Sequence, residues 1–216
     1  MKITKFGQSA ILVELKGKRI LIDPGKYCYG EGKMKPEDFK DIDVILITHV
    51  HGDHCMPEAL KVIKENNNCP ILTNREVKEL LNQENIDSDV LEVGQAKQFD
   101  NITVKAVKAI HGELPDGRPK PETIGFLIDD KLYHPGDTIY LKEKPYADVV
   151  CVPICGTVVM DPKEAARFVK DIKPKLAIPI HYDNPKYPVD PKDFAKEMRG
   201  SEIEVRILNF GKSVVI

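Results

Sequence analysis

Residues Thr48–His54 read Thr-His-Val-His-Gly-Asp-His, so three of the chain's six histidines and an aspartate fall within one short stretch. Neutral imidazoles beside a carboxylate are donors that suit a borderline metal such as zinc. On an extended chain His49 and His51 project to the same side. Gly52 allows a sharp turn, past which Asp53 and His54 point back towards a neighbouring place. A polar strand end with incidental histidines is the plainer interpretation, and the density of donors speaks against it. His111, Asp137 and His181 each stand just beyond a strand-like run, where loops on a rigid sheet gather functional groups. With the motif they make seven donors, enough for two divalent ions. One ion would take His49, His51 and His111; the other would take Asp53, His54 and His181; Asp137 would bridge them. Both would keep a position for water, as catalysis requires. Histidine-rich ligation favours zinc, with manganese and iron as alternatives.

These donors need strands to carry them. The apolar run Val44–Ile47 reads as a strand buried on both faces and delivers the motif. Ahead of it, Ile3–Phe6, Ala10–Leu15 and Arg19–Asp23 are strand-like and separated by Gly7-Gln8-Ser9 and Gly17-Lys18, spacings that suit hairpins. A loop over 26–36 follows. Pro57 opens a helix to about Glu65, Pro70–Thr73 is a strand, and Asn74 caps a helix with Val77, Leu80 and Leu81 on one face. Strands then recur at Val90–Val93, Lys97–Phe99 and Ile102–Ile110, the last reaching His111. Ile124–Ile128 and Lys131–His134 form a hairpin that leads to Asp137, and Val149–Ile154 is a further buried strand. Asp161-Pro162-Lys163-Glu164 combines an N-cap, a first-position proline and an acid three residues after the cap. Leu176–Ile180 delivers His181. A helix from Pro191 to about Arg199 and strands at Val205–Leu208 and Val214–Ile216 complete the pattern. This order predicts an α/β fold, a four-layer αββα sandwich of two mixed β-sheets flanked by helices. No Ser- or Gly-rich linker interrupts it, so residues 1–216 are expected to form a single domain.

At 216 residues, 42% apolar and 31% charged, the chain has the makings of an ordinary globular protein. A net charge of −2 gives no electrostatic reason to expect nucleic acid. No apolar stretch approaches membrane-spanning length and the amino terminus lacks a signal-peptide core, so a cytoplasmic protein is expected. The five cysteines are odd in number and scattered, as befits free thiols in a reducing compartment, several of them buried as small apolar residues. Exposed sheet edges would permit a homo-oligomer.

The segments Thr48–His54, His111, Gly136-Asp137-Thr138 and Pro179-Ile180-His181-Tyr182, in that order, resemble the metallo-β-lactamase fold superfamily over nearly the whole chain. That resemblance implies the four-layer sandwich, a dinuclear site at one edge, and hydrolysis by a metal-bound hydroxide. The second half looks most like the small metal-dependent hydrolases related to L-ascorbate-6-phosphate lactonase, through Leu132–Thr138, Val159–Ala166 and Lys173–Tyr182; Leu21-Ile22-Asp23-Pro24 fits the same group. His51 stands where redox-active diiron members commonly carry a carboxylate, which points to hydrolysis rather than oxygen chemistry. Cys55-Met56-Pro57 departs from many relatives, and a packed thiol is the expected role of Cys55.

The chemistry expected is a metal-dependent hydrolase acting on a small molecule, through a lactone, ester or related bond. Two ions lower the pKa of a shared water, while Asp53 orients it and accepts its proton. Asp137 completes the catalytic centre. His134 lies outside the donor set; it would donate to a leaving group or hold Asp137 in place, against the plain alternative of a hydrogen-bonded strand-end histidine. Thr48 and Thr138 are candidates for holding adjacent ligands. Two loops would shape the substrate pocket: 113–121, with Arg118 and Lys120, and 182–188, with Lys186 and Tyr187. Their basic groups would favour an anionic substrate, unless they are merely solvated. A phosphodiesterase or nuclease is the second class, weakened by the charge balance, and a noncatalytic metal-binding regulator is the third.

Overall fold

The computed structural model of the chain describes residues 1–30 and 32–216; Glu31, within the predicted loop over 26–36, lies outside them. Two compact units are resolved, Met1–Leu91 with Leu208–Ile216, and Glu92–Ile207. Strands and helices are numbered in chain order.

The first unit holds β1 (Lys2–Lys5), β2 (Ile11–Leu15), β3 (Lys18–Ile22), β4 (Val44–Leu46), α1 (Pro57–Asn67), β5 (Ile71–Thr73), α2 (Arg75–Gln83), β6 (Asp89–Val90) and β14 (Lys212–Val215). They form a seven-stranded sheet of order β14-β1-β2-β3-β4-β5-β6. Pairing is antiparallel from β14 to β3 and parallel from β3 to β6. Short turns suffice for the antiparallel half, whereas parallel neighbours need crossovers, and α1 and α2 supply the two from β4 to β6. Proline at the first turn of α1 and the Asn74 side chain, which accepts from Val77 N at 2.9 Å, start those helices where the residue types predict. Their buried stripes, Leu60 and Ile63 on α1 and Val77 and Leu81 on α2, join Leu21, Ile45 and Ile71 of the sheet in one core, with Phe6 packed edge-on against Phe39.

The second unit holds β7 (Ala96–Phe99), β8 (Ile102–Lys108), β9 (Ile124–Ile128), β10 (Leu132–His134), β11 (Val149–Pro153), α3 (Pro162–Ile172), β12 (Leu176–Ile180), α4 (Pro191–Glu197) and β13 (Glu204–Val205). Its sheet runs β13-β12-β11-β10-β9-β8-β7. Here too an antiparallel half, β7 to β10, is joined to a parallel half, β10 to β13, with one helix in each of the last two crossovers. The capping box at Asp161 and Glu164 forms as its residues predict. Phe168, Val169 and Ala165 of α3 pack on Val150 and Val152 of β11 and Ala177 of β12.

Each unit is thus a mixed sheet with two helices, as the residue pattern predicts. The differences lie at edges. The run Val90–Val93 pairs only over Asp89–Val90, and Val205–Leu208 only over Glu204–Val205. The strand expected to reach Ile110 ends at Lys108. All five cysteines are thiols outside disulfides, as expected, and all five are buried. Among the described residues no helix is long and apolar enough to cross a membrane.

Candidate metal centre

In the first unit the donors follow β4 directly. Ile47 N still donates to Leu72 O at 3.0 Å; beyond it His54 N and Cys55 N both donate to His51 O at 2.8 Å, closing a turn over the motif. The turn gathers the rings: His49 lies 4.8 Å from His51 and 4.1 Å from His54, centroid to centroid. His49 and His54 are buried, and His51 and Asp53 are half-buried. Gly52 does not have the conformation its residue type suggests. It is absent from the left-handed region, and an added Cβ would meet only the Lys26 side chain, 4.0 Å away. The glycine this turn requires is Gly25. A Cβ there would sit 2.0 Å from the carbonyl carbon of Asp53.

The buried hub of this half is Asp23, at the end of β3. Its carboxylate accepts from Thr48 N at 2.8 Å, Thr48 Oγ1 at 2.7 Å and His54 Nδ1 at 2.7 Å. With its own proton given to Asp23, the Thr48 hydroxyl can only accept from His49 Nδ1, 3.0 Å away. His49 and His54 are therefore both Nδ1–H tautomers, and each keeps its lone pair on Nε2. Asn74 Nδ2 donates to Thr48 O at 3.1 Å, tying the motif to the start of α2. Gln8 Nε2 donates to Asp53 Oδ2 at 3.1 Å.

The second unit assembles its donors by a different route. Ile110 N donates to Thr138 Oγ1 at 3.1 Å and Ile139 N to Ile110 O at 2.8 Å, drawing the loop after β8 onto the loop after β10. Asp137 Oδ2 then lies 3.7 Å from His111 Nε2 and 2.9 Å from His181 Nε2, with all three residues buried. His111 Nδ1 donates to Gly112 O at 2.8 Å, which again leaves the lone pair on Nε2. His181, directly after β12, holds the left-handed region at φ 57°, which costs a side-chain-bearing residue about 1 kcal/mol. Burial disfavours charge on His181, but the Asp137 carboxylate and Cys155 beside it outweigh burial and raise its pKa well above the ordinary value. This corner of the fold therefore favours positive charge. Burial likewise pushes the Cys155 thiol up, yet hydrogen bonds with His181 and the backbone of Val158 and Thr157 bring it below the ordinary range. His134 is buried and accepts from Gly136 N at 3.3 Å, so it braces the turn that presents Asp137.

A family model described as a beta-lactamase superfamily domain matches residues 2–181. The chain belongs to the metallo-β-lactamase superfamily. A relative from Thermoplasma acidophilum is 37% identical over 174 residues, 77% of this chain and 76% of its own length. One from Carboxydothermus hydrogenoformans is 32% identical over 229 residues, all of both chains. Both are named UPF0173 metal-dependent hydrolases, a group to which this chain also belongs. Among solved structures, Igni18, a metallo hydrolase from Ignicoccus hospitalis, matches with a TM-score of 0.81 at 27% identity, over 99% of this chain and 97% of that one.

The residues fit a metal. His49, His54 and His111 are each held by a local acceptor in the tautomer that ligation through Nε2 needs, an arrangement usual around metal-binding imidazoles. Three residues of this superfamily member escape a reading of residue types: Asp23, Gln8 and Cys155. Asp23 carries a usable signal, an acid directly after the buried run Leu21-Ile22. Gln8 carries none, being an uncharged residue in a hairpin connection. Cys55 is a packed thiol, with burial pushing its pKa up to about 12. In the loop over 113–121, Arg118 pairs with Asp116 at 2.9 Å and Lys120 with Glu113 at 2.8 Å. Lys186 lies over the Tyr187 ring.

Proposed function

We propose that this chain is a dinuclear metal-dependent hydrolase of a small molecule with a hydrolysable C–O or C–N bond, such as a lactone or ester. In this reading His49, His51 and His111 would hold one ion, Asp53, His54 and His181 would hold the other, and Asp137 would serve both. The observation that supports it best is the pre-set tautomers: Asp23, Thr48 and the Gly112 carbonyl take the Nδ1 protons of three buried imidazoles. Apolar packing alone would not call for such orientation of buried polar groups. Two bound divalent ions, zinc by preference of the donor set, supply Lewis acidity and a water that ionises near neutral pH.

The chain's own groups divide the remaining work. Asp53 takes the proton of the attacking water on its carboxylate. Asp137, braced by the Gly136–His134 hydrogen bond, is held in place by His134, whose role is to position rather than to donate. Asp23 keeps His54 and His49 from rotating. The cations of the loop over 113–121 face acids of the same loop, so they give no support to an anionic substrate.

Metal content measured on protein purified without chelator tests the donor assignment. About two ions per chain are expected, and His51→Ala should lower that number with the fold retained. A panel of lactones, thioesters and bis-aryl phosphates assayed with zinc, manganese or iron then tests the chemistry. Turnover confined to the phosphates would favour the phosphodiesterase class, and no turnover with any metal would overturn the hydrolase reading.

A further inference from the structure

Gln8 lies in the connection between β1 and β2. It is buried and holds φ at 60°. That region is unfavourable for a residue with a side chain, and such residues persist where the surroundings over-determine them. Here the turn is closed on both sides, by Phe6 N to Ala10 O at 2.8 Å and Ala10 N to Gly7 O at 3.1 Å. The conformation aims the side-chain amide at Asp53, whose Oδ2 it reaches at 3.1 Å across a sequence separation of 45. Gln8, Asp23 and His181 share the left-handed region, and Asp23 and His181 already contact donor side chains.

We propose that Gln8 is a positioning residue of the metal centre. Its amide fixes the rotation of the half-buried Asp53 carboxylate, so that Oδ1 is the oxygen presented to the ion. The inference rests on the two-ion reading of Asp53 given above. An amide suits this task better than a charged donor. It holds one carboxylate oxygen without neutralising the charge that the other needs to bind a cation. Without Gln8 the half-buried carboxylate would lose this hold on Oδ2, and the ion held by Asp53 would lose part of its ligand's pre-orientation.

The test is a mutant cycle read by zinc affinity, using wild type, Gln8→Leu, Gln8→Asn, Asp53→Ala and the two double variants. Zinc dissociation constants come from competition with a chromogenic chelator, and far-UV circular dichroism reports the fold. Gln8→Leu should weaken one of two zinc ions by about 10- to 100-fold, the range seen when partners of metal ligands are removed, and leave the other unchanged. Gln8→Asn keeps an amide with a shorter reach and tolerates the positive φ, so it should fold and fall between Leu and wild type. In the Asp53→Ala background neither change should alter affinity more than about twofold, an outcome that a general structural role would not produce. Wild-type affinity in both single variants would overturn the proposal alone, as would an equal loss with and without Asp53. Wild-type protein that takes up no zinc would overturn the two-ion reading and this inference with it.

Discussion

Replacing Asp23 with asparagine is the most informative single change, because it preserves shape and backbone preference while altering only what the side chain can accept. Asparagine tolerates the left-handed conformation that Asp23 holds at φ 48°. The carboxylate receives three hydrogen bonds, from Thr48 N, Thr48 Oγ1 and His54 Nδ1. An amide has one oxygen and cannot satisfy all three. If its oxygen stays with Thr48 N, the amine faces the hydroxyl and the imidazole. His54 must then accept on Nδ1, and the Thr48 hydroxyl turns to donate to His49, so both rings move their proton to Nε2 and lose the lone pair there. If the amide is flipped, the amine opposes the Thr48 N–H and a buried backbone donor is left unmet. Hydrogen bonds to a charged acceptor contribute about 1.5–3 kcal/mol each. The flipped form should therefore cost about 2–3 kcal/mol, a fall of roughly 5–10 °C in melting temperature for a chain of this size. The unflipped form should weaken metal binding by about 10- to 100-fold. Urea unfolding of the metal-free protein and chelator competition together cover both forms. An Asp23→Asn protein within about 0.5 kcal/mol of wild type and with unchanged metal affinity would refute the hub.

Three further outcomes are expected. Gly52→Ala should change stability by less than about 0.5 kcal/mol, whereas Gly25→Ala, whose Cβ would strike the backbone of Asp53, should cost about 3 kcal/mol or more and reduce metal uptake; equal effects would sink the assignment of Gly25 as the pinch point. The Tyr133 hydroxyl is buried with no hydrogen-bond partner among the described residues, so Tyr133→Phe should hold or raise unfolding free energy, by up to about 1–3 kcal/mol. A loss of comparable size in urea would show that the hydroxyl is satisfied. Burial pushes the Cys151 thiol from its ordinary 9.0 up to about 12. The folded chain therefore keeps a proton that the unfolded chain releases, and the contribution is whole below pH 9 and declines above it, by about 1.4 kcal/mol per pH unit. Cys151→Ala should flatten that alkaline decline in pH-dependent melting curves, and an unchanged slope would count against it.

What the residue types reveal follows from one rule: a polar group directly after a buried apolar run sits where a sheet presents it. That rule finds His49, His111, Asp137 and His181, and would equally find Asp23. It cannot find Gln8, whose importance comes from a contact with Asp53 far along the chain. Nor can it separate Gly25 from Gly52. The motif makes Gly52 conspicuous, while the close approach that requires a glycine involves Gly25 and a backbone 28 residues away. Strand ends are legible where both neighbours pair, as in Leu176–Ile180. Hydropathy cannot say where a partner stops. The apolar runs therefore continue past Val90 and Val205 although pairing ends there, at β6 and β13, and Ile110 leaves its ladder for Thr138 and Ile139.

The return of β14 to β1 has a bearing on how the chain folds. The pairing joins Lys2 to Val215, so the sheet that carries the histidine motif is finished by a segment from the far end of the sequence. The second unit, by contrast, is continuous from Glu92 to Ile207, an insert within its host. Closing a loop costs entropy that grows with the free chain inside it, and contacts between distant residues form late. Once the insert has folded, most of the intervening chain no longer contributes that freedom, and β14 can dock at smaller cost. The strand completing the host should therefore be the last to arrive in refolding. As a four-residue edge with Val215 and Ile216 exposed, it should also be the first to exchange its amide protons.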